Sequence, residues 1–221
     1  MWWLIAPAVG VVGKLIYDAV TEGDKPPSSY TPSPNQTLIM NLMRLRHSLI
    51  GEHAPKIAIL GQPGAGKSSL LKKVTHGKVQ PPPVIGTETD ATTWADNSSC
   101  HLVSHYEATK FVDVPGYDTE AHPTHAFRMF FPFEQFDAFL FVFKGKINSS
   151  DEEMFDYARK TSKPICVVRA FADGLDTHEF AQAQADLTQR LRLDHRVDFV
   201  HYSNRTGQGV DKVRDFCIQI S

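Results

Sequence analysis

Positions 1–13, MWWLIAPAVGVVG, carry no charged side chain. Lys14 interrupts this apolar run, Leu15–Tyr17 resume it, and Asp18 ends it. A spanning helix needs about 20 apolar residues, so the run is short for a clean span. It predicts membrane association through residues 1–20, by a short anchor or a shallow insertion. Pro7, Gly10 and Gly13 are tolerable in a membrane helix and poor in a soluble one. Trp2, Trp3 and Tyr17 flank the run as interfacial aromatics do. No positive segment precedes it, which weakens a signal-peptide reading. The plainer alternative is a short helix docked on the protein or on a partner.

Residues 21–36, TEGDKPPSSYTPSPNQ, read as a linker, with Pro26, Pro27, Pro32 and Pro34 set against regular structure. Residues 37–53 read as an amphipathic helix. Leu38, Leu42, Leu45 and Leu49 fall on one stripe, with Ile39, Met43 and Ile50 beside it. Arg44, Arg46 and His47 lie near the polar side, so a basic helix on a membrane is one reading. The width of the apolar stripe favours packing on the domain that follows.

From residue 54 the pattern alternates. KIAIL (56–60), FVDV (111–114), FDAFLFVF (136–143), PICVVRA (164–170) and VDFVHYS (197–203) are apolar, β-rich runs. Their near-continuous apolarity predicts strands covered on both faces. Between them lie helical patterns: Ser68–Val74, a helix opened by a capping box at Ser150–Glu153, and one from Asp176 to about Leu193. A closing helix is marked by Val210, Val213, Phe216 and Ile220. The alternation predicts an α/β fold over 54–221, a doubly wound and mostly parallel sheet, with an N-terminal helical extension.

Composition adds exclusions. Of 221 residues, 42% are apolar and 22% charged, which excludes wholesale disorder. A net charge of −2 offers no global field for nucleic acid. Cys100, Cys166 and Cys217 form no CxxC pair and suit a reducing compartment. His101 and His105 share one face of a candidate strand, and His122 and His125 sit in a loop. Without a third ligand these are read as exposed histidines rather than a zinc site.

The decisive motif is Gly61-Gln62-Pro63-Gly64-Ala65-Gly66-Lys67-Ser68, which meets GxxxxGK[ST] at every fixed position, after a strand and before a helix. Backbone N–H groups in such a loop form an anion nest, and the helix N-terminus adds positive potential. Lys67 is placed to bridge β- and γ-phosphates, Ser68 to ligate Mg²⁺ and Ser69 to reach the α-phosphate. Asp113-Val114-Pro115-Gly116 closes a strand with DxxG. Between the two motifs, Thr89, with Thr87 second, is the expected closing threonine over Mg²⁺. Trp94 in the same region is either a partner contact or loop packing.

These residues resemble the Ras-like, translation-factor-related class of P-loop GTPases. Within it, Phe111–Asp173 resembles the immunity-related GTPases and their bacterial relatives, through VDVPGYDTEAHPTHAF, the aromatic strand with its acidic-capped helix, and the Arg in PICVVRAFAD. The resemblance covers 56–221. It implies that Asp113 holds Mg²⁺ through water, that the Gly116 N–H meets the γ-phosphate, and that Asp173 accepts from guanine N1 and N2. It also places the Ser203-Asn204 backbone at guanine O6.

Two departures stand out. Where the class has [NT]KxD, this chain has Ala170-Phe171-Ala172-Asp173. Ala170 loses a bracing side chain, and Phe171 offers a ring in place of a lysine stem. Tyr117 occupies the place often held by the water-orienting Gln. Its hydroxyl is read as either touching phosphate or standing idle while the ring packs.

The expectation is therefore a GTP/GDP-binding, Mg²⁺-dependent switch with slow intrinsic hydrolysis, facing the cytoplasm. Help in trans would come from an activating partner or a homodimer across the nucleotide face, with Glu88, Asp118 and Arg128 as candidate helpers. A non-hydrolysing GTP-bound scaffold and a base-nonspecific NTPase are the alternatives. A ribosome-associated role fits the fold but gains nothing from the charge. The sequence stops soon after the closing helix, without the large C-terminal helical region of the immunity-related GTPases, which argues against membrane remodelling in their manner.

Overall fold

In the computed structural model, residues 31–85, 93–174, 176–195 and 197–220 are described. Residues 1–30 and 86–92 lie outside them. The apolar segment 1–20 expected to associate with a membrane, most of the linker, Thr87, Glu88 and Thr89 therefore fall outside the described residues.

Helix α1 (Pro34–Leu49) opens the unit Pro34–Ser221. Pro34, read as linker, is instead its first residue, where a missing N–H costs nothing because no intrahelical acceptor faces it. Strand β1 (Lys56–Leu60) and helix α2 (Lys67–Val74) follow. Next come β2 (Ser104–Tyr106), β3 (Thr109–Asp113), α3 (Thr124–Phe130), β4 (Ala138–Phe143), α4 (Ser149–Lys160) and β5 (Ile165–Arg169). Helix α5 (Thr177–Arg190), β6 (Val197–His201) and α6 (Val210–Ile220) complete the chain.

The six strands run in the order β2-β3-β1-β4-β5-β6. Every neighbouring pair is parallel except β2 with β3. The doubly wound, mostly parallel sheet expected from the alternation is thus present. β2 is the one antiparallel strand, three residues long; His105 lies in it and His101 does not.

Alternate strand residues separate into two cores. Ala58, Leu60, Val112, Phe139, Phe141 and Val167 join the Leu38, Leu42, Leu45 and Leu49 stripe of α1 and the inner faces of α3, α4 and α5. Ile57, Ile59, Leu140, Val142, Cys166 and Val168 face α2 and α6. A sheet covered on both faces explains why β1, β4 and β5 are buried at every position.

The α1 stripe settles between its two readings. All four leucines are at most 1% exposed, so the helix packs on the domain. Buried Asn41 ties it down, donating from Nδ2 to the carbonyls of Trp94 (2.7 Å) and Asn97 (2.9 Å). Arg44 donates to Asn41 Oδ1 and to the Ser98 carbonyl, and Arg46 pairs with Glu134, so neither arginine is spare for a surface. Trp94 is buried against Phe127, which resolves it as loop packing. His122 is fully buried as well, accepting at Nε2 from the Trp94 N–H at 3.0 Å, against the exposed loop histidine expected.

One cap also differs. Asn148, not Ser150, caps α4, with Asp151 as its reciprocal partner. Glu152 and Glu153 are freed from capping and pair with Arg190 and Arg128. The Asp176 cap of α5, with Glu179, is as expected.

Truncating Leu42 to Ala opens a cavity beneath α1. Denaturant unfolding of the full chain should show a loss of about 2–5 kcal/mol, typical of a buried leucine.

Candidate functional site

β1 has β3 on one side and β4 on the other, so the chain leaves the sheet in opposite directions from adjacent strands. Crevices that take ligands lie at such a switch point, outside the carboxyl ends of the strands. The loops after β1, β3, β5 and β6 all emerge on that edge, and they carry the singled-out motifs.

The loop Gly61–Gly66 links β1 to α2. At Gly61 a Cβ would stand 2.2 Å from the Val142 carbonyl oxygen, so only glycine lets the loop leave β1 pressed against β4. Across the crevice, a Cβ on Gly116 would lie 2.3 Å from Pro63 N. The DxxG loop thereby touches the β1–α2 loop without a side chain between them. Lys67 is buried and donates from Nζ to the carbonyls of Gly61 (2.8 Å) and Gln62 (2.9 Å). Ser68 and half-buried Ser69 stand in the first turn of α2.

Ser68 Oγ donates to Asp113 Oδ2 at 2.5 Å. The other oxygen, Asp113 Oδ1, is buried with no hydrogen-bond partner. Loss of water raises the Asp113 carboxyl above its usual range, and the Lys67 charge and the Ser68 bond only partly oppose this. A hydroxyl and a carboxylate with an unsatisfied oxygen are hard oxygen donors of the kind Mg²⁺ takes, with the remainder left to water and phosphate. The residues present fit that ion. The described residues contain no cluster of three or more His, Cys, Asp or Glu suited to an all-protein metal site.

Of the two readings of Tyr117, its placement matches the packed ring. It is wholly buried, its ring against Phe127, and its hydroxyl donates to Asp151 Oδ1 at 2.8 Å. Burial, then the Asp151 carboxylate, drives the phenol far above its normal range. The Gln62 side chain reaches the same carboxylate, donating to Asp151 Oδ2 at 2.5 Å. Asp151 thus joins the β1–α2 loop, the DxxG loop and the start of α4. Two of the candidate helpers are likewise engaged: Asp118 accepts from Asn148 Nδ2 and Arg128 pairs with Glu153; Glu88 lies outside the described residues.

At the far end, Asp173 lies in a short 3-10 turn after β5. Fully buried Ser203 donates from Oγ to Asp173 Oδ1 at 2.6 Å, and Arg205 meets Oδ2 at 2.8 Å. The serine bond, with the Arg205 charge behind it, holds Asp173 below the usual carboxylate range. Asn204 is exposed and accepts at Oδ1 from the Tyr202 hydroxyl. Phe171 sits at φ 58°, an uncommon conformation for a bulky residue. Its ring edge approaches Gly66 at 4.0 Å from where a Cβ would stand, and the Lys144 ammonium lies 4.7 Å above the ring. The ring therefore bridges the phosphate-type loop and the Asp173 turn.

Sequence reasoning missed three contributors. Arg169, buried, donates to the carbonyls of Phe143 and Ala170 and so braces the segment that Ala170 leaves bare. Asp151 reads from the sequence only as part of a helix cap. Arg169 and Arg205 carry local signals, the first as the Arg of PICVVRAFAD just before Ala170 and the second as a cation two residues beyond Ser203, but their partners do not show in the sequence.

Residues 56–170 match the family described as "50S ribosome-binding GTPase". The chain is 24% identical over 173 residues to "Probable GTP-binding protein EngB" of Desulforamulus reducens, covering 72% of this chain and 80% of that one. It is 27% identical over 168 residues to "GTPase Der" of Clostridium perfringens, covering 72% of this chain and 37% of Der. A crystal structure of a probable GTP-binding protein engB shares the fold, with a TM-score of 0.54 at 15% identity over 75% of this chain and 97% of that one.

Asp113→Asn removes a charge that folding keeps from water, so it should raise the melting temperature of nucleotide-free protein at neutral pH. Because the folded pKa is raised, the carboxylate costs stability only where it is ionised. The gain should therefore shrink as pH falls through the raised value toward 3.8. The same variant should lose Mg²⁺-dependent nucleotide binding.

Proposed function

We propose that this chain, which belongs to the 50S ribosome-binding GTPase family, binds GTP and GDP with Mg²⁺ and hydrolyses GTP slowly, as a molecular switch. The observation that carries this is the group Lys67, Ser68 and Asp113 at the strand switch point, with Asp113 Oδ1 buried and unpaired. In the proposed complex, backbone N–H groups of residues 61–68 cradle the phosphates, and Lys67 exchanges its two carbonyl acceptors for phosphate oxygens. Ser68 and, through water, Asp113 hold Mg²⁺, with Thr89 or Thr87 as the further ligand. Bound there, the ion neutralises charge on the β- and γ-phosphates. The Gly116 N–H meets the γ-phosphate.

For the base, Asp173 accepts from guanine N1 and N2, Phe171 stacks, and the Asn204 backbone N–H meets O6. An acceptor pair set for guanine rejects adenine, which would leave the buried polar groups unmatched.

Slow turnover follows from Tyr117. Its hydroxyl is committed to Asp151, so it does not orient an attacking water. Acceleration then falls to an activating partner or a second copy across the nucleotide face. The same commitment favours a second reading, a GTP-bound scaffold that does not hydrolyse. The kinship with immunity-related GTPases rests on the sequence features of 111–173 alone. A large-subunit ribosomal partner, as the family's description suggests, gains no support from the net charge of −2.

The deciding experiment is equilibrium binding of GTP, GDP and ATP analogues to the full chain, with and without Mg²⁺. Guanine nucleotides should bind in a Mg²⁺-dependent way and over ATP, and Asp173→Asn should move the preference toward xanthine. Base-blind binding would replace this reading with a nonspecific NTPase. Turnover should be slow and rise with protein concentration or a partner; no phosphate release from the GTP-bound chain with a binding partner present selects the scaffold.

For location we propose the cytoplasmic face of a membrane, with residues 1–20 as the attachment. The support is the uncharged run at 1–13. No helix among the described residues is long and apolar enough to cross a membrane. Deleting residues 1–20 should abolish liposome flotation; unchanged flotation removes the attachment.

A further inference from the structure

Asp173 is already occupied. Ser203 Oγ holds Oδ1 at 2.6 Å and the Arg205 guanidinium stands on Oδ2 at 2.8 Å. Guanine would approach this carboxylate with two N–H donors side by side on one edge, flanking a single ring carbon. A guanidinium presents the same nitrogen–carbon–nitrogen fork of parallel N–H donors. The protein's own side chain therefore carries a donor edge of the same kind as the base, and one of its nitrogens, Nη2, already stands on Oδ2.

We propose that Arg205 is an internal competitor for the guanine edge, a residue that must leave Asp173 before the base can take it. The inference rests on Asp173 being the guanine acceptor. Three features suit Arg205 to that work. It is two residues beyond Ser203, on the loop whose backbone is assigned to O6, so it lies at the edge of the base position. Its side chain is 79% exposed while that of Asp173 is 19% exposed, so the arginine can swing into water without unpacking anything, and the acceptor stays in place. The acceptor also keeps its Ser203 bond when Arg205 departs, and that bond is the larger cause of its low pKa. Asp173 therefore remains an ionised acceptor with or without the arginine.

The strength of the competition is bounded. An ion pair with one partner this exposed is worth little, so the penalty on nucleotide is modest, ~2- to 5-fold in affinity. It weakens with salt, because screening acts on the exposed pair more than on a base seated in the crevice. The consequence for a switch is faster release of GDP than an unopposed Asp173 would allow, since the arginine retakes the carboxylate as the base lifts.

The test uses the full chain, GDP and XDP as probes, and the variants Arg205→Ala, Asp173→Asn and the double variant. Arg205→Ala should bind GDP ~2- to 5-fold more tightly and release it correspondingly more slowly at about 0.05 M salt, with the gain fading near about 0.5 M. In the Asp173→Asn background, removing Arg205 should change GDP binding negligibly. Unchanged or weaker GDP binding by Arg205→Ala, alongside a xanthine shift in Asp173→Asn, overturns the competitor and leaves the guanine reading standing. An Asp173→Asn protein that keeps the wild-type preference for guanine over xanthine overturns the acceptor role itself, and the competitor with it.

Discussion

A carboxylate at the end of β3 is the constraint around which this site is arranged. Asp113 terminates β3 with one oxygen satisfied by Ser68 and the other buried and bare. A fold that keeps such a group must hold a hydroxyl in reach, so α2 has to begin within a hydrogen bond of the β3 end. That requirement fixes the β1–α2 loop, which passes between β4 and the DxxG loop only because Gly61 and Gly116 have no side chains. Lys67 supplies the nearest positive charge. The arrangement gives up stability in the empty protein in favour of a ready set of oxygen donors, a common compromise at functional sites.

The fold was legible because the signals were redundant. β1, β4 and β5 are apolar but for Lys56 and Arg169 at their ends and buried at every position, the pattern expected of a sheet covered on both faces. The α1 stripe of Leu38, Leu42, Leu45 and Leu49 announced a buried face, and the width of that stripe identified the domain as its partner. Errors fell where neighbouring residues offered equivalent local chemistry. Asn148 and Ser150 can both cap a helix, and only the backbone conformation at 148 decides between them. Pro34 reads as linker because proline is excluded from helix interiors, yet it is welcome at a helix start, where the structure places it.

The phosphate loop was equally plain, since its spacing encodes geometry directly. Partners across the fold were not. That Tyr117 turns inward to Asp151 depends on a contact between positions 34 residues apart. Bracing by Arg169 depends on a carbonyl of β4. The segment at 170–173 illustrates both sides. Asp173 could be assigned from its place after β5, whereas the ring edge of Phe171 beside Gly66, with Lys144 over the ring, needed the strand order before it could be seen.

Asp151 ends up serving three masters: the α4 cap, the Tyr117 hydroxyl and the Gln62 amide. A glutamate there could still serve the cap, as Glu179 does in α5, but would shift its oxygens by one methylene from the Tyr117 hydroxyl and the Gln62 amide, and an asparagine would turn a donor toward groups that already donate. No single replacement at 62, 117 or 151 preserves all the bonds, so the effects of changes at these positions are not additive. The three residues therefore form one unit of inheritance. Exchanging the tyrosine for a water-orienting side chain would leave Asp151 Oδ1 without its donor, and that loss would be felt at the α4 start and, through Gln62, at the phosphate loop.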